Sequence, residues 1–322
     1  MIKHFLAVHG SIFLLGFWVS GASAMPADEL VQELGNSVLR VHVNLPDGKH
    51  GLGSAVVIAK GEVITNCHVV NDATDITVIH KGEPYVVTAI KPDWHHDLCM
   101  LKVESLDAPV VKMGSTKNLH YEESVFTVGY PGETTQPVTT YGEVKGLFPM
   151  DGSMVMRATS TFRLGASGGG AFDDSGNLVG IITLKSKGSQ AHYYYMPVEW
   201  VKTLMNKPAQ TLGVKSEKPF WALASENRPY FMQVVQPYVN QDWKSLLKVA
   251  QQWVQAEPDT PESWFYLAAA EYAAKDFDKA SVHLNQVLAL NHEHRLAGDY
   301  LAKIMEMTGK SANASQRVAL LN

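Results

Sequence analysis

The sequence predicts a multidomain protein in which an all-β part is followed by an all-α part. Residues 38–197 contain many short runs rich in β-branched and aromatic residues, and turn signals such as Pro46-Asp47-Gly48 separate these runs. From Asn227 onward the apolar residues recur at helical spacing instead. The chain has 322 residues, of which 46% are hydrophobic, so its length suggests about two domains and a large core.

The individual strands are predicted from their composition. They cover residues 38–43, 55–65, 75–80, 85–90, 98–103 and 124–130. Many short strands with frequent turns are typical of a sandwich or of paired barrels. A helix beginning near Val198, with Val201, Leu204 and Met205 on its apolar face, is expected to close the all-β domain.

Three separate segments place His68, Asp97 and Ser167 in this order along the chain. A Ser hydroxyl is a weak nucleophile until a neutral imidazole accepts its proton, and a carboxylate then orients that imidazole. We therefore predict Ser167 as a nucleophile, His68 as its base and Asp97 as the orienting group. The small residues around Ser167 allow a tight bend, which would let the N–H groups of Gly165 and Ser167 form an oxyanion hole.

This order of residues is the one that chymotrypsin-type hydrolases use, and residues 30–206 resemble the trypsin-like serine proteases of the bacterial HtrA/Deg type. The motifs that carry the resemblance are Gly51-Leu52-Gly53-Ser54-Ala55-Val56-Val57-Ile58, Thr65-Asn66 before His68, Asp97-Leu98 with Leu101-Lys102-Val103, and Val128-Gly129-Tyr130-Pro131-Gly132. The resemblance implies two six-stranded barrels with the site in the cleft between them. His68 and Asp97 would come from the first barrel and Ser167 from the second.

Two departures from the family limit what the resemblance implies. Ala166 stands where digestive enzymes carry the Asp that pairs with a newly cleaved N-terminus. Activation by N-terminal cleavage is therefore not expected. No PDZ domain is recognisable after the predicted protease domain, so control by such a domain is not expected either.

The resemblance also implies a substrate-binding pocket. Its walls would be Phe162, the strand Thr183-Leu184-Lys185 and the stretch His192-Tyr193-Tyr194, and the Thr183 hydroxyl would hydrogen-bond Asp97. Thr161 stands near the position of the trypsin residue that selects basic side chains, so a preference for Lys or Arg is not expected. Two readings remain open: a pocket for a medium apolar side chain, or an inward-pointing His192 that recognises an acidic or amide group.

The two cysteines flank the predicted site. Cys67 precedes His68, and Cys99 lies two residues beyond Asp97, on the same face of a predicted strand. A disulfide between Cys67 and Cys99 is one interpretation, and two buried free thiols are the other. No metal or other cofactor is expected, because His95-His96-Asp97 and His292-x-His294 lack a third ligand at a recognised spacing.

Residues 1–24 have the pattern of a cleavable signal peptide. Lys3 and His4 lead into an apolar run over residues 5–19, and Ala22-Ser23-Ala24 offers a cleavage site just before Met25. The alternative is a membrane anchor, but the run falls short of the ~20 residues that span a bilayer. We therefore expect a periplasmic or secreted protein with no integral membrane segment after cleavage. The net charge of −5 gives no reason to expect nucleic acid as a partner.

The remaining boundaries follow from composition and periodicity. The protease domain is predicted over residues 25–206, a linker over 207–226 and a tetratricopeptide-repeat-like helical domain over 227–322. Asp242-Trp243 recurs as Asp276-Phe277 at the 34-residue period of that repeat, although Glu271 stands where the motif has Tyr. The helical domain would either bind a partner protein or act as a cap that stabilises the protease.

Two functions remain open after this reading of the sequence. The first is a serine endopeptidase that cuts polypeptide substrates through His68, Asp97 and Ser167. The second is a latent protease-fold sensor or chaperone, whose main role is to bind a partner through the helical domain. An intact triad does not distinguish the two, because a misformed oxyanion loop alone would silence the enzyme.

Overall fold

Two closed β-barrels make up the first two thirds of the structure, a computed structural model that describes residues 26, 28–187, 191–213 and 217–309. The first barrel is formed by β1 (Val38–Asn44), β2 (His50–Ala59), β3 (Glu62–Thr65), β4 (Asp75–His80), β5 (Glu83–Asp93) and β6 (Leu98–Val103). Its strands are neighbours in the order β1-β2-β3-β6-β5-β4 and pair antiparallel throughout.

The second barrel repeats the same architecture. It consists of β7 (Ser124–Gly129), β8 (Val138–Met150), β9 (Ser153–Ala158), β10 (Gly170–Asp173), β11 (Leu178–Lys185) and β12 (Tyr193–Pro197), ordered β10-β11-β12-β9-β8-β7. The expectation of two six-stranded barrels is thus confirmed. The single predicted strand over residues 55–65 is wrong, because the chain reverses at Gly61 (φ +71°) and forms the hairpin between β2 and β3.

Within the described residues three α-helices accompany the barrels and six follow them. The former are α1 (Asp28–Gly35), α2 (Cys67–Val70) and α3 (Val198–Met205), and the latter begin with α4 (Tyr230–Gln233) and α5 (Val235–Val239). The helical region ends with α6 (Trp243–Ala256), α7 (Pro261–Ala273), α8 (Phe277–Leu290) and α9 (Arg295–Thr308). Within the described ranges no helix combines the length and apolar character needed to cross a membrane. The predicted signal peptide lies outside these ranges.

The last four helices form two hairpins that repeat every 34 residues. Helix α8 begins 34 residues after α6, and α9 begins 34 residues after α7. The first helix of each hairpin is capped in the same way, since the Asp242 and Asp276 carboxylates accept hydrogen bonds from the N–H groups of Ser245 and Lys279.

The helical region packs directly on the second barrel, across the outer face of β8 and β9. Phe148 of β8 stacks on Phe231 of α4 with ring centroids 4.5 Å apart, and both side chains are at most 4% exposed. Beside them, the Arg157 guanidinium of β9 donates to the Tyr266 hydroxyl of α7 at 3.1 Å and to a backbone carbonyl of its own barrel. Barrel and helices therefore share one continuous core.

We predict that Phe231→Ala lowers the free energy of unfolding by about 3–5 kcal/mol, because the substitution leaves a cavity against Phe148. Urea denaturation followed by circular dichroism measures the change. Val282→Ala, at a side chain of α8 that is 66% exposed, is the matched control and should change stability by less than about 0.5 kcal/mol. Equal effects of the two substitutions would contradict the shared core.

Candidate active site

Asp97 and His68 form a hydrogen-bonded pair at the edge of the first barrel. Asp97 lies in the turn before β6 with a left-handed backbone (φ +59°), a conformation that Asp tolerates better than most residues. Its carboxylate is 1% exposed and accepts the His68 backbone N–H on Oδ1 at 2.8 Å. His68 Nδ1 donates to Oδ2 at 2.6 Å, which leaves His68 Nε2 as a proton acceptor.

A disulfide joins the two segments that carry this pair. Cys67 of α2 and Cys99 of β6 are bonded, with their Cα atoms 4.8 Å apart, as expected where β3 and β6 are neighbours. The structure therefore contains the predicted disulfide and not the two free thiols that were the other interpretation. Asn66 adds a hydrogen bond from its side-chain amide to the Asp97 carbonyl at 3.0 Å.

Thr183 does not contact Asp97 in the way that the family resemblance implies. Its hydroxyl accepts a hydrogen bond from the Asn66 amide at 2.8 Å and donates to the Ile181 carbonyl at 3.0 Å. That expectation is therefore wrong, because Asn66 lies beside the Thr183 hydroxyl and binds it.

Ser167 lies on a loop that the first barrel holds in place. Ser54 of β2 donates its hydroxyl proton to the Gly165 carbonyl at 2.9 Å and accepts the Tyr130 N–H at 2.9 Å. The Ser54 backbone N–H also donates to the Ser167 carbonyl at 2.8 Å. The motif that precedes His68 in the sequence thus contains Ser54, which supports the loop that carries Ser167. No local sequence signal predicted this contact.

Two glycines of this loop adopt backbones that other residues disfavour. Gly165 has φ +95° and Gly168 has φ +88°, and a Cβ atom at either position would collide with backbone atoms, of Gly132 and Ser54 respectively. The Leu164 carbonyl accepts the Gly132 N–H at 2.8 Å. Within the described ranges, the N–H groups of Gly165 and Ser167 donate to no protein acceptor.

His68 and Ser167 both line one cleft of about 880 Å³. No hydrogen bond joins Ser167 Oγ to His68 Nε2 in the part of the chain that is described, and such bonds often tighten only when substrate binds. The cleft contains four of the predicted pocket residues, namely Phe162, Thr183, Leu184 and Lys185. No carboxylate is among the described lining residues.

The predicted wall at His192 is wrong, because His192 is not among the residues that line the cleft. Its ring lies 3.5 Å from the Tyr194 hydroxyl, and its backbone N–H donates to Ser186. Burial, assisted by the charge of Arg157, lowers the pKa of His192 to about 3. Tyr194 is itself buried against Phe231 of the helical region, so this stretch faces the helices. Of the same stretch, Tyr193 packs against Phe162.

Comparison with known proteins agrees with this geometry. Residues 53–181 match the family model of the trypsin-like peptidase domain. The match begins at the β2 motif that contains Ser54 and ends within β11, so it includes His68, Asp97 and Ser167.

Curated proteins that are similar to this chain carry the names of serine endoproteases, some of them periplasmic. A probable periplasmic serine endoprotease DegP-like from Pseudomonas fulva is 36% identical over 135 residues, which are 40% of this chain and 28% of that protein. Serine endoprotease DegS from Salmonella typhimurium is 31% identical over 140 residues, 41% of this chain and 39% of that protein. The chain thus spans less than two fifths of these relatives.

Solved structures resemble the barrels. The active form of the Rv3671c protease from M. tuberculosis has a TM-score of 0.54 at 21% identity, covering 60% of this chain and 92% of that one. At that identity the likeness shows the fold alone. The HtrA-type protease AlgW with a tripeptide has a TM-score of 0.50 at 25% identity, covering 55% of this chain and 61% of that one.

Trp221 reaches the site from beyond the residues that match the trypsin-like peptidase domain. It lies in a short 3₁₀ helix (Phe220–Ala222), and its indole Nε1 donates to Asp97 Oδ2 at 3.2 Å. Its ring meets the His68 ring edge-on, with centroids 5.7 Å apart and planes at 89°. The composition of this segment predicted a linker, and its contact with Asp97 joins residues too far apart in the chain to leave a local signal.

A second histidine bridges the two barrels next to Asp97. His96 Nδ1 pairs with Asp93 at 3.0 Å and His96 Nε2 pairs with Asp151, in the turn after β8, at 3.0 Å. Burial alone would lower the pKa of His96, but hydrogen bonds and charges from both carboxylates outweigh it and raise the pKa. Burial would raise the pKa of Asp93, but His96 and Lys207 lower it to about 2.

We predict that this bridge makes stability depend on pH. A raised pKa in the folded state means that the contribution of His96 is complete below pH 6.5 and is lost as pH rises through the higher folded value. The contribution of Asp93 is present above pH 3.8 and is lost as pH falls toward 2. The unfolding free energy, measured by urea denaturation between pH 6 and 8, should fall less steeply in His96→Gln than in the unsubstituted protein.

The control for this prediction is His292→Gln, since the His292 side chain is 84% exposed and far along the chain from the bridge. This variant should keep the slope of the unsubstituted protein. An unchanged slope in His96→Gln would contradict the bridge.

Proposed function

We propose that this chain is a serine endopeptidase of the HtrA type that hydrolyses peptide bonds through His68, Asp97 and Ser167. One observation carries the proposal. A buried carboxylate on the first barrel holds a solvent-exposed imidazole, and this pair shares a cleft with a Ser on a loop whose two neighbouring N–H groups have no protein acceptor among the described residues. This arrangement matches the needs of acyl transfer, in which a base, a nucleophile and oxyanion donors converge.

In the proposed reaction, His68 Nε2 takes the Ser167 proton as Ser167 Oγ attacks the carbonyl carbon of the substrate. The Asp97 carboxylate stabilises the imidazolium that forms, and the N–H groups of Gly165 and Ser167 stabilise the negative oxygen of the tetrahedral intermediate. His68 then gives its proton to the leaving amine, which departs and leaves an acyl ester on Ser167. Water, activated by His68, hydrolyses this ester and restores the free Ser.

The positions of the loop atoms favour an oxyanion hole that is formed without a partner. In a misformed hole a carbonyl would occupy the space where the substrate oxygen binds. Here the Leu164 carbonyl is bound to Gly132, and the Gly165 carbonyl is bound to Ser54. This argues for activity without prior activation and against the latent sensor or chaperone.

We predict that a fluorophosphonate probe labels the chain from Met25 onward covalently, and that Ser167→Ala abolishes labelling because the hydroxyl that attacks phosphorus is gone. The labelled band on a denaturing gel measures the outcome. Ser281→Ala, which removes a hydroxyl from α8 in the helical region, is the matched control and should label like the parent. Labelling that survives in Ser167→Ala would contradict the proposal.

The cleft supports a preference for medium apolar side chains before the cleaved bond. Phe162 and Leu184 contribute apolar walls, and no carboxylate is found among the described lining residues. Thr161, which by resemblance stands near the position of the trypsin carboxylate, also lines the cleft. His192 faces Tyr194 instead of the cleft, which removes the basis for recognition of acidic or amide side chains.

We therefore predict that cleavage of a peptide library, followed by mass spectrometry, occurs mainly after residues such as Val, Leu or Met. Each apolar side chain that enters the cleft gains about 1.5–3 kcal/mol from burial. The same library treated with the Ser167→Ala protein is the control for background cleavage. Dominant cleavage after Lys, Arg, Glu or Gln would contradict this assignment.

For the helical region we propose a tetratricopeptide-like pair of hairpins that acts first as a cap on the second barrel. The 34-residue repeat of helix starts and the shared Asp caps support the repeat, and the packing of Phe231 and Tyr266 on the barrel supports the cap. A protein partner would bind exposed apolar side chains of α8 and α9, such as Val282, Leu296 and Met307. The names of the relatives support a periplasmic location.

A further inference from the structure

We propose that Trp221 is a positioning residue for the Asp97-His68 pair, supplied by the segment that leads from the barrels to the helical region. The inference rests on the proposed serine endopeptidase function. The indole N–H donates to the Asp97 carboxylate, in the place that the family resemblance implied for the Thr183 hydroxyl. The indole ring fixes the plane of the His68 imidazole.

The first argument concerns the hydrogen bonds of the Asp97 carboxylate. A buried carboxylate needs donors, because each unsatisfied acceptor retains the cost of its lost hydration. Asp97 Oδ1 has the His68 backbone N–H, and Oδ2 has both His68 Nδ1 and Trp221 Nε1. The Thr183 hydroxyl is committed to Asn66 and Ile181. Among the described residues, two side chains thus donate a hydrogen bond to the Asp97 carboxylate: His68 and Trp221.

The second argument concerns the His68 ring. The imidazole must keep Nδ1 toward Asp97 and Nε2 toward the cleft during the whole reaction. The edge-on contact with Trp221, at a centroid distance of 5.7 Å, is a favourable aromatic geometry and restricts rotation of the imidazole. Trp221 also lines the cleft beside His68, where it would form a wall for the substrate.

The third argument is that Trp221 is held firmly on both sides. Its neighbour Phe220 is 2% exposed, packs against Trp200, and donates its N–H to the His95 carbonyl at 3.0 Å. Ten residues after Trp221, Phe231 is stacked on Phe148 of the second barrel. The segment between the barrels and the helices is therefore tied down at both ends, with Trp221 directed at the site.

A purely structural role, in which the indole only fills space, predicts a different result on substitution. Trp221→Phe keeps an aromatic ring and most of the volume but removes the N–H donor. Loss of positioning should slow acylation while leaving substrate binding nearly intact. A space-filling role should weaken stability and change neither the reaction nor the proton that His68 shares with Asp97.

The experiment uses the full chain from Met25 and two readouts. The first is acylation by p-nitrophenyl acetate, from which kcat and KM are obtained. The second is the low-field proton resonance of the His68 Nδ1–H that is shared with Asp97. We expect Trp221→Phe to lower kcat about tenfold, as loss of one hydrogen bond to a charged group would, with little change in KM, and to shift the resonance.

The matched control is Trp264→Phe, because the Trp264 indole also donates one hydrogen bond, to the Pro258 carbonyl at 2.7 Å, but lies on α7 in the helical region. It should keep both the rate and the resonance of the parent. Circular dichroism and urea denaturation verify that each variant is folded.

The outcomes separate the two proposals. If the parent protein neither reacts with p-nitrophenyl acetate nor takes up a fluorophosphonate, the proposed function fails, while a resonance shift in Trp221→Phe alone still supports the positioning contact. If the parent reacts and Trp221→Phe matches Trp264→Phe in both kcat and resonance, the inference about Trp221 is overturned.

Discussion

The hydrogen bonds of Ser54 are the interaction on which the site depends. Each barrel closes on itself, so nothing in either barrel alone fixes the distance between His68 and Ser167. Ser54 supplies this constraint from the first barrel, by binding the carbonyls of Gly165 and Ser167 and the N–H of Tyr130 in the second. The buried Thr65 hydroxyl in turn donates to the Ser54 carbonyl at 2.7 Å. A rigid strand therefore holds the loop that would carry the nucleophile.

Much of the fold was accessible from sequence, because its signals are local. The strands β4 and β6 begin and end where composition places them, and α3 begins at Val198 as its apolar face predicts. The residues around His68, Asp97 and Ser167 also form local motifs, so the positions of the Asp97-His68 pair and of the Ser167 loop could be predicted from the sequence alone. The hairpin at Gly61 was missed because both of its strands are apolar and only one glycine marks the turn.

The rest of the site was not accessible, because its contacts join residues far apart in the chain. The Thr183 hydroxyl could equally reach Asp97 or Asn66, and only their relative placement decides between them. His192 lies beside Tyr194 and Arg157, two residues of the second barrel that contact Phe231 and Tyr266 of the helical region, and the sequence gives no sign of these distant contacts. Trp221 contacts Asp97 across 124 positions of sequence, and no periodicity reports such a pairing.

The disulfide between Cys67 and Cys99 has a consequence for the timing of maturation. Disulfides form in oxidising compartments and are rare where glutathione keeps thiols reduced. A chain still in a reducing environment would hold α2 against β6 by hydrogen bonds alone, so the helix that carries His68 would be less constrained. In the exported protease proposed above, oxidation would then complete the site only after export, and newly synthesised chains would pose less danger to the proteins around the ribosome.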